Sequence, residues 1–319
     1  MEASEFLGTV LAMHAQARDR GLFFQTTEDD AYRGRAIEID GRSLLSFGSC
    51  SYLGLELDPR LIEGACDAAR RYGTQFSTSR GYLSAPIYRE LEASLDAIFD
   101  AHTVLAPTTT LGHLAALDVL AHEKDAIVLD HQVHQSVQQA ANLARTRGTK
   151  VVVVKHEELD RAVEIVGTLA RTHRTVWFAT DGVNSMYGDL APFVLLKTLL
   201  DVAPNVRLYV DDAHGMSWLG KHGRGSFLAT MPLSPRIVLA TSLAKAFGCG
   251  GGVLVLSDPA ERDRIRMGGG TLLFSGPIQP PMLGAALASA ARRASLCGKR
   301  GSCHASTRTT PSCGDTDQR

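Results

Sequence analysis

Between about residue 90 and residue 260 the sequence alternates two patterns. Short runs rich in β-branched residues, Ala126–Leu129, Val151–Val154, Val176–Ala179, Leu208–Val210, Ile237–Ala240 and Val253–Leu256, are interleaved with helical patterns at Leu111–His122, Gln135–Arg147, Leu159–Thr172 and Leu195–Leu200. The short runs are nearly continuous in apolar character, as strands buried on both faces are. Alternation of this kind predicts an α/β fold with a mostly parallel sheet sandwiched by helices. It also says where to look for chemistry, because ligands on such sheets sit beyond the carboxyl ends of the strands.

The flanks read differently. Met1 to about Arg20 and Asp58–Tyr72 are expected helices, and Ala36-Ile-Glu-Ile-Asp-Gly41 an expected hairpin arm. From about Arg292 the sequence has few apolar residues and no periodicity. Such a segment buries too little surface to offset its ordering entropy, so disorder is expected there. The chain divides on this reading into an N-terminal arm (1–57), a large domain (58–290) and an irregular tail (291–319). A formal net charge of −1 gives no reason to expect nucleic acid or an anionic membrane as partner. No stretch approaches the roughly 20 apolar residues needed to span a bilayer, and the acidic N-terminus does not read as a signal peptide. A cytoplasmic protein is the expectation. The six cysteines include no C-x-x-C pair, which argues against a zinc or dithiol site and for free thiols.

Two strand ends carry the sharpest signal. Leu208-Tyr-Val-Asp-Asp-Ala-His214 ends a strand in carboxylates, with a histidine three residues beyond Asp211. Thr241-Ser-Leu-Ala-Lys-Ala-Phe-Gly248 ends the next strand in hydroxyls and a lysine. A carboxylate for a pyridinium proton, an amine for a Schiff base and hydroxyls for a phosphate are what pyridoxal 5′-phosphate (PLP) requires. Lys245 would be the Schiff-base amine; an exposed lysine at a helix start is the bland alternative. Asp211 and Asp212 are consecutive, so one is expected to face inward and the other outward. The inward carboxylate would hold the ring nitrogen protonated, with His214 orienting it. A metal held by Asp211, Asp212 and His214 is the rival, disfavoured because no further His or Cys cluster completes a ligand set; no metal is expected. Gly248-Cys-Gly-Gly-Gly252 lets backbone approach closely.

Other strand ends add weaker candidates. Pro107-Thr-Thr-Thr-Leu-Gly112 opens a helix with Thr109 and Thr110, a phosphate cup or ordinary capping. Ser242 offers a further hydroxyl for a phosphate. His134 could stack on a cofactor ring, with His131 as rival. Asp181 and Ser185 follow another strand and could bind a ring hydroxyl.

These motifs in this order resemble the α-oxoamine synthase family of fold-type I PLP enzymes. The resemblance runs from Phe47-Gly-Ser-Cys-Ser-Tyr-Leu-Gly54 to about Phe274-Ser275. It is densest in Thr180–Asp189, Val210-Asp-Asp-Ala-His-Gly215 and Ser242-Leu-Ala-Lys-Ala-Phe-Gly248. It implies a fold-type I PLP-dependent transferase condensing an amino acid with an acyl thioester such as acyl-CoA, with or without decarboxylation. It makes Lys245 the Schiff-base lysine, Asp211 the pyridinium partner, His214 its neighbour and His134 the stacking histidine. Ser185 and Asp181 match positions by the ring hydroxyl; Ser242 stands where a phosphate-binding threonine is usual, and Thr109 and Thr110 where the family often has Gly-aromatic at the phosphate. It also implies a homodimer with sites between subunits. Departures are Cys50 in place of an asparagine and Phe274-Ser-Gly-Pro-Ile-Gln-Pro280 in place of a hydroxyl-richer motif. The family's small C-terminal domain is expected to be largely missing. An aminotransferase on the same scaffold, and a non-catalytic PLP-fold partner protein, are the alternative readings.

Overall fold

A computed structural model of the chain describes residues 3–300. Helix α1 (Ala3–Asp19) and the antiparallel hairpin of β1 (Ala36–Ile39) and β2 (Arg42–Leu45) form the N-terminal part, and both are largely exposed. Helices α2 (Pro59–Tyr72) and α3 (Pro86–Phe99) lead into a seven-stranded sheet. Its strands are β3 (His102–Ala106), β4 (Ala126–Asp130), β5 (Lys150–Val154), β6 (Val176–Asp181), β7 (Val206–Asp211), β8 (Ile237–Ser242) and β9 (Gly252–Leu256). Between and after them lie α4 (Thr109–Leu120), α5 (Gln135–Thr146), α6 (Asp160–Ala170), α7 (Phe193–Val202), α8 (Ser226–Thr230), α9 (Pro259–Gly268), α10 (Gly270–Leu273) and α11 (Pro280–Arg300).

The strand order is β3-β9-β8-β7-β6-β4-β5. The pairs from β5 through β8 are parallel, as expected, and β9 alone runs antiparallel to both β8 and β3. All six expected strands form; β3 is a seventh that the apolar pattern did not announce. Alternate residues serve two cores. Val128, Phe178, Leu208 and Val210 face α3, α6, α7 and α11. Ile127, Leu129, Trp177, Ala179 and Tyr209 face α4 and α5. Both faces being covered explains why the strands read as unbroken apolar runs.

Antiparallel β9 places Lys245. The segment from Leu243 to Gly251 doubles back, with Leu243 N–H donating to Gly251 O (2.9 Å) and Cys249 N–H to Leu243 O (2.9 Å). Gly248 has φ +82°, and a Cβ there would lie 2.7 Å from the Leu55 Cβ. Lys245 therefore sits on a closed turn and not on a free loop.

Helix α11 runs to Arg300, so the expected domain boundary at residue 291 falls inside a helix; the rest of the expected irregular tail, residues 301–319, lies outside the described residues. None of the described helices is long and apolar enough to cross a membrane. Helix α11 packs on α2 through two glycines. A Cβ on Gly284 would come within 2.1 Å of Gly64 O and 2.6 Å of Ala68 Cβ, and one on Gly64 within 2.7 Å of Gly284 O. The backbones themselves make the contact. Gly284→Val forces the helices apart, and destabilisation of about 1–3 kcal/mol or more is expected. Urea denaturation measures it; an unchanged midpoint would show that the close crossing does not stabilise the domain.

Candidate active site

Strand-end register brings the carboxylates together. Asp181 and Asp211 are direct partners on neighbouring parallel strands, and Asp211 in turn pairs with Ala240 of β8. By strand parity both aspartates point to the face covered by α4 and α5, the side of Trp177, Ala179 and Tyr209. Asp212 points the other way, but into protein and not into solvent. Its Oδ1 accepts from Ser226 Oγ (2.5 Å) and its Oδ2 from Phe227 N–H (2.9 Å) at the start of α8. Gly182, Gly215 and Gly225 wall it so closely that a Cβ on any of them would lie 2.1–2.3 Å from a carboxylate oxygen. The expectation that one of the two consecutive aspartates faces outward is thereby corrected: with both faces covered, alternation distributes side chains between two interiors. The geometry also separates Asp212 from Asp211 and His214 as a ligand set.

Asp211 is buried and held at both oxygens. Oδ1 accepts from Ala213 N–H (3.0 Å), and Oδ2 pairs with His113 Nε2 (2.9 Å). The other nitrogen of His113 meets Tyr209 Oη at 2.8 Å. Burial pushes Asp211 towards protonation, but the charge and hydrogen bond of His113, with Lys245 and His134 nearby, hold it well below the usual carboxylate range. Asp181 goes the other way. Burial, and then the Asp211 charge, push it up to about 8, with the His134 N–H (3.0 Å) opposing.

Lys245 Nζ lies 2.9 Å from His214 Nε2, and His214 Nδ1 lies 2.5 Å from Tyr52 Oη. Burial, and then the neighbouring Lys245, push His214 down to about 4, so its ring is neutral near pH 7. Tyr52 is pushed up to about 12, by burial first and then by Cys50. His134 caps α5 through Ser136 N–H (3.3 Å) and bonds Ser136 Oγ (2.6 Å). Burial lowers it, with Asp211 opposing and Lys245 and His113 adding to the lowering. Its rival His131 is exposed.

The hydroxyl candidates gather partly. Thr109 Oγ1 donates to Thr241 O (3.3 Å), and a Cβ on Gly252 would lie 2.5 Å from Thr109 N, so the start of α4 abuts the end of β8 and the start of β9. Ser242 pairs with Gly252 across that junction, its Oγ accepting from Ala244 N–H (3.0 Å). Thr108 caps α4 through Leu111 N–H (3.1 Å), and Thr109 and Thr110 form its first turn, where amide N–H groups lack intrahelical partners. Ser185 lies half-buried in the turn after β6 and makes no hydrogen bond to another described residue; its neighbour Asn184 organises that turn, accepting from Met186 and Tyr187 N–H (3.0 Å each).

Sequence reasoning missed His113, Tyr209 and Tyr52. Spacing held a signal for two of them: Tyr209 is two residues before Asp211 on one strand face, and His113 is one helical turn after Thr109. It also missed Arg293 of α11, which is buried and donates to Ser217 O (3.3 Å) and Ala246 O (3.5 Å), beside the turns that carry His214 and Lys245.

The sequence pattern of a family described as aminotransferase class I and II matches residues 42–308. The 8-amino-7-oxononanoate synthase of Dechloromonas aromatica is 33% identical over 259 residues, which are 80% of this chain and 65% of that protein. The serine palmitoyltransferase of Sphingobacterium spiritivorum is 29% identical over 280 residues, 85% of this chain and 67% of that one. This chain thus spans about two thirds of the length of these curated relatives. Serine palmitoyltransferase from S. paucimobilis, solved with bound PLP and myriocin, superposes with a TM-score of 0.79 at 21% identity, covering 94% of this chain and 75% of its own, which establishes the shared fold.

Burial, opposed by the Ser226 and Phe227 hydrogen bonds, pushes Asp212 up to about 7. An unfolded chain releases that proton near pH 4. Between those values the folded chain holds the extra proton, so this aspartate makes stability fall as pH rises. Asp212→Asn keeps an acceptor for Phe227 N–H and a donor for Ser226 and removes the effect. Denaturation midpoints measured from about pH 4 to pH 7 are expected to fall less steeply with pH in the variant than in the wild type; parallel profiles would refute the assignment.

Proposed function

The chain belongs to the aminotransferase class I and II family, and on that premise we propose that it binds PLP between Lys245 and Asp211 and condenses an amino acid with an acyl thioester, as α-oxoamine synthases do. The observation that carries the reading is the Asp211 carboxylate, held ionised at one strand end, with the Lys245 amine on the turn after the next strand and His214 2.9 Å from that amine. The names borne by the relatives, 8-amino-7-oxononanoate synthase and serine palmitoyltransferase, favour acyl transfer over amino transfer.

The donor set fits the cofactor. Asp181 Oδ2 is a buried oxygen with no hydrogen-bond partner among the described residues, as expected of a group that waits for a ligand. The glycine at 252 keeps clear the approach to the first turn of α4, a natural seat for a phosphate. In this reading Lys245 would hold the cofactor through its aldehyde, with Asp211 at the ring nitrogen and His134 beside the ring. Asp181 and Ser185 would serve the ring hydroxyl, and Thr109, Thr110 and Ser242 the phosphate. When bound, the cofactor supplies an electron sink for a carbanion at the amino-acid α-carbon.

The residues then divide the work. Lys245 Nζ takes the α-proton, and the neutral His214 ring at 2.9 Å orients that amine. Tyr52 fixes the far nitrogen of the same ring. Asp211, kept ionised, remains an acceptor across the neutral pH range. A second copy of the chain is part of the proposal. Phe47, Tyr82 and Phe274 stand 85%, 84% and 88% exposed, apolar surface that a partner subunit would cover.

Adding PLP to the protein should give a visible absorption band and, after borohydride reduction, a PLP adduct on the Lys245 peptide by mass spectrometry. Lys245→Ala should abolish the adduct and lower CoA release from amino acid plus acyl-CoA by at least about 100-fold. CoA release should require both substrates. Binding of PLP without any turnover over a panel of amino acids and acyl-CoAs would reject the acyltransferase assignment, and an adduct on a different lysine would reject the site.

A further inference from the structure

The catalytic reading above uses Asp211 but leaves unexplained what stands behind it. His113 is fully buried on α4, and Tyr209 is fully buried on β7. Histidine deep in a helix–sheet interface is an expensive residue for a packing role that leucine would fill, because its two nitrogens must both find partners. Here both do: Nε2 faces Asp211 Oδ2 at 2.9 Å and Nδ1 faces Tyr209 Oη at 2.8 Å. The rings of His113 and Tyr209 meet edge to face, with centroids 5.7 Å apart. An ionised carboxylate has no hydrogen to give, so the proton in the first contact sits on Nε2. Burial, and then the Asp211 charge, push the Tyr209 phenol well above its ordinary value, so its hydroxyl keeps its hydrogen.

We propose that His113 and Tyr209 are positioning residues that fix the orientation and acceptor state of Asp211 towards the cofactor ring. The inference rests on the PLP reading above and extends it one layer into the protein. The imidazole is pinned at both ends and cannot turn away from the carboxylate. The carboxylate is pinned by Nε2–H at Oδ2 and by the Ala213 N–H at Oδ1 (3.0 Å), which fixes the plane of its remaining lone pairs. Such outer partners orient a ligating group and set its basicity, and their loss weakens ligand affinity by about 10–100-fold at metal sites, the best measured case.

The groups that face Asp211 are His113 on α4, Tyr209 on β7, His214 after it, His134 before α5, Asp181 at the end of β6 and Lys245 after β8. Among them His113 contributes most to holding the carboxylate ionised, through charge and hydrogen bond together. Without it, Asp211 takes up a proton at higher pH, and cofactor affinity is lost sooner on acidification.

The test compares His113→Leu, His113→Gln and Tyr209→Phe with wild type, each first checked for native circular dichroism. PLP dissociation constants are measured by absorbance from about pH 5 to pH 9. His113→Leu should weaken PLP by at least about 10-fold and move the acidic limb of the affinity profile to higher pH. His113→Gln, which keeps a donor of similar reach but not the charge, should recover part of both, and Tyr209→Phe should fall between wild type and His113→Leu. A folded His113→Leu protein with affinity within twofold of wild type and an unmoved acidic limb overturns the proposal. A second readout needs no cofactor: 15N NMR of the apo protein should show His113 Nε2 carrying the proton, and a bare Nε2 overturns the proposal as well. If wild-type protein binds no PLP, the function above fails, and the NMR result still decides the buried contact.

Discussion

A carboxylate that stays charged inside protein is the constraint around which this structure is arranged. Burial alone would neutralise Asp211. It is opposed by an imidazole at 2.9 Å, a backbone N–H at 3.0 Å and the lysine and histidine of the neighbouring strand ends. Each of those partners comes from a different element, and each element reaches its place through the sheet. Parallel pairing puts β6, β7 and β8 side by side with their carboxyl ends together. Helices α4 and α5 cover one face and deliver His113 and His134 to it. The order of the fold is what makes the charge tolerable.

The antiparallel strand β9 solves a second problem. A lysine amine must be held near that carboxylate without the freedom of a long loop. Reversing the chain after β8 closes Leu243–Gly251 into a turn secured by three backbone hydrogen bonds of 2.9 Å. The glycines make the reversal possible: Gly251 has φ +120° and Gly248 φ +82°, conformations that L side chains rarely adopt, and Gly252 lies against the α4 backbone. The same turn is braced from behind by Arg293, whose guanidinium reaches Ala246 O and Ser217 O and packs over the Phe247 ring at 4.4 Å. Composition placed Arg293 within an irregular tail. The sequence that follows it is mostly polar and aperiodic, so only the packed helix reveals that this one side chain turns inward.

Local signals carried most of the fold and the centre of the site. Strands buried on both faces announce themselves as apolar runs, and six of seven did. Strand β3 did not, because His102-Thr-Val-Leu-Ala106 is short, starts with a histidine and follows α3 by only two residues. Lys245, Asp211, His214 and His134 were legible because each sits at a strand end, where a polar residue after an apolar run stands out. For His113 the sequence offered only its place one helical turn after Thr109, because a histidine in a helix carries no mark of what it faces until the helix is laid on the sheet. Tyr52 reaches His214 from 162 residues away in the chain, a distance that no spacing argument spans. Asp212 shows a subtler failure. Parity gave its direction correctly, but the far side of a doubly covered sheet is another interior.

Three carboxylates at two strand ends therefore end in different states for physical reasons that can be separated. At the roughly 4.8 Å spacing of neighbouring strands, two unit charges repel by about 3 kcal/mol at an effective dielectric of about 20. That is enough to keep one of the register pair Asp181 and Asp211 protonated once both are buried. The pair is resolved in favour of Asp211 because His113 bonds its side-chain oxygen, while Asp181 receives only the His134 N–H and keeps one oxygen unpartnered. Asp212 is pushed up to about 7 by its glycine-walled cage, although Ser226 and Phe227 pull the other way. Near neutral pH the strand ends thus present one full carboxylate charge to the face covered by α4 and α5 and one protonated carboxyl beside it, an acceptor and a donor fixed next to each other. Environments that drive like groups apart in this way are how a site assigns acid and base roles to identical side chains. Here the assignment follows from which helix covers which face of the sheet.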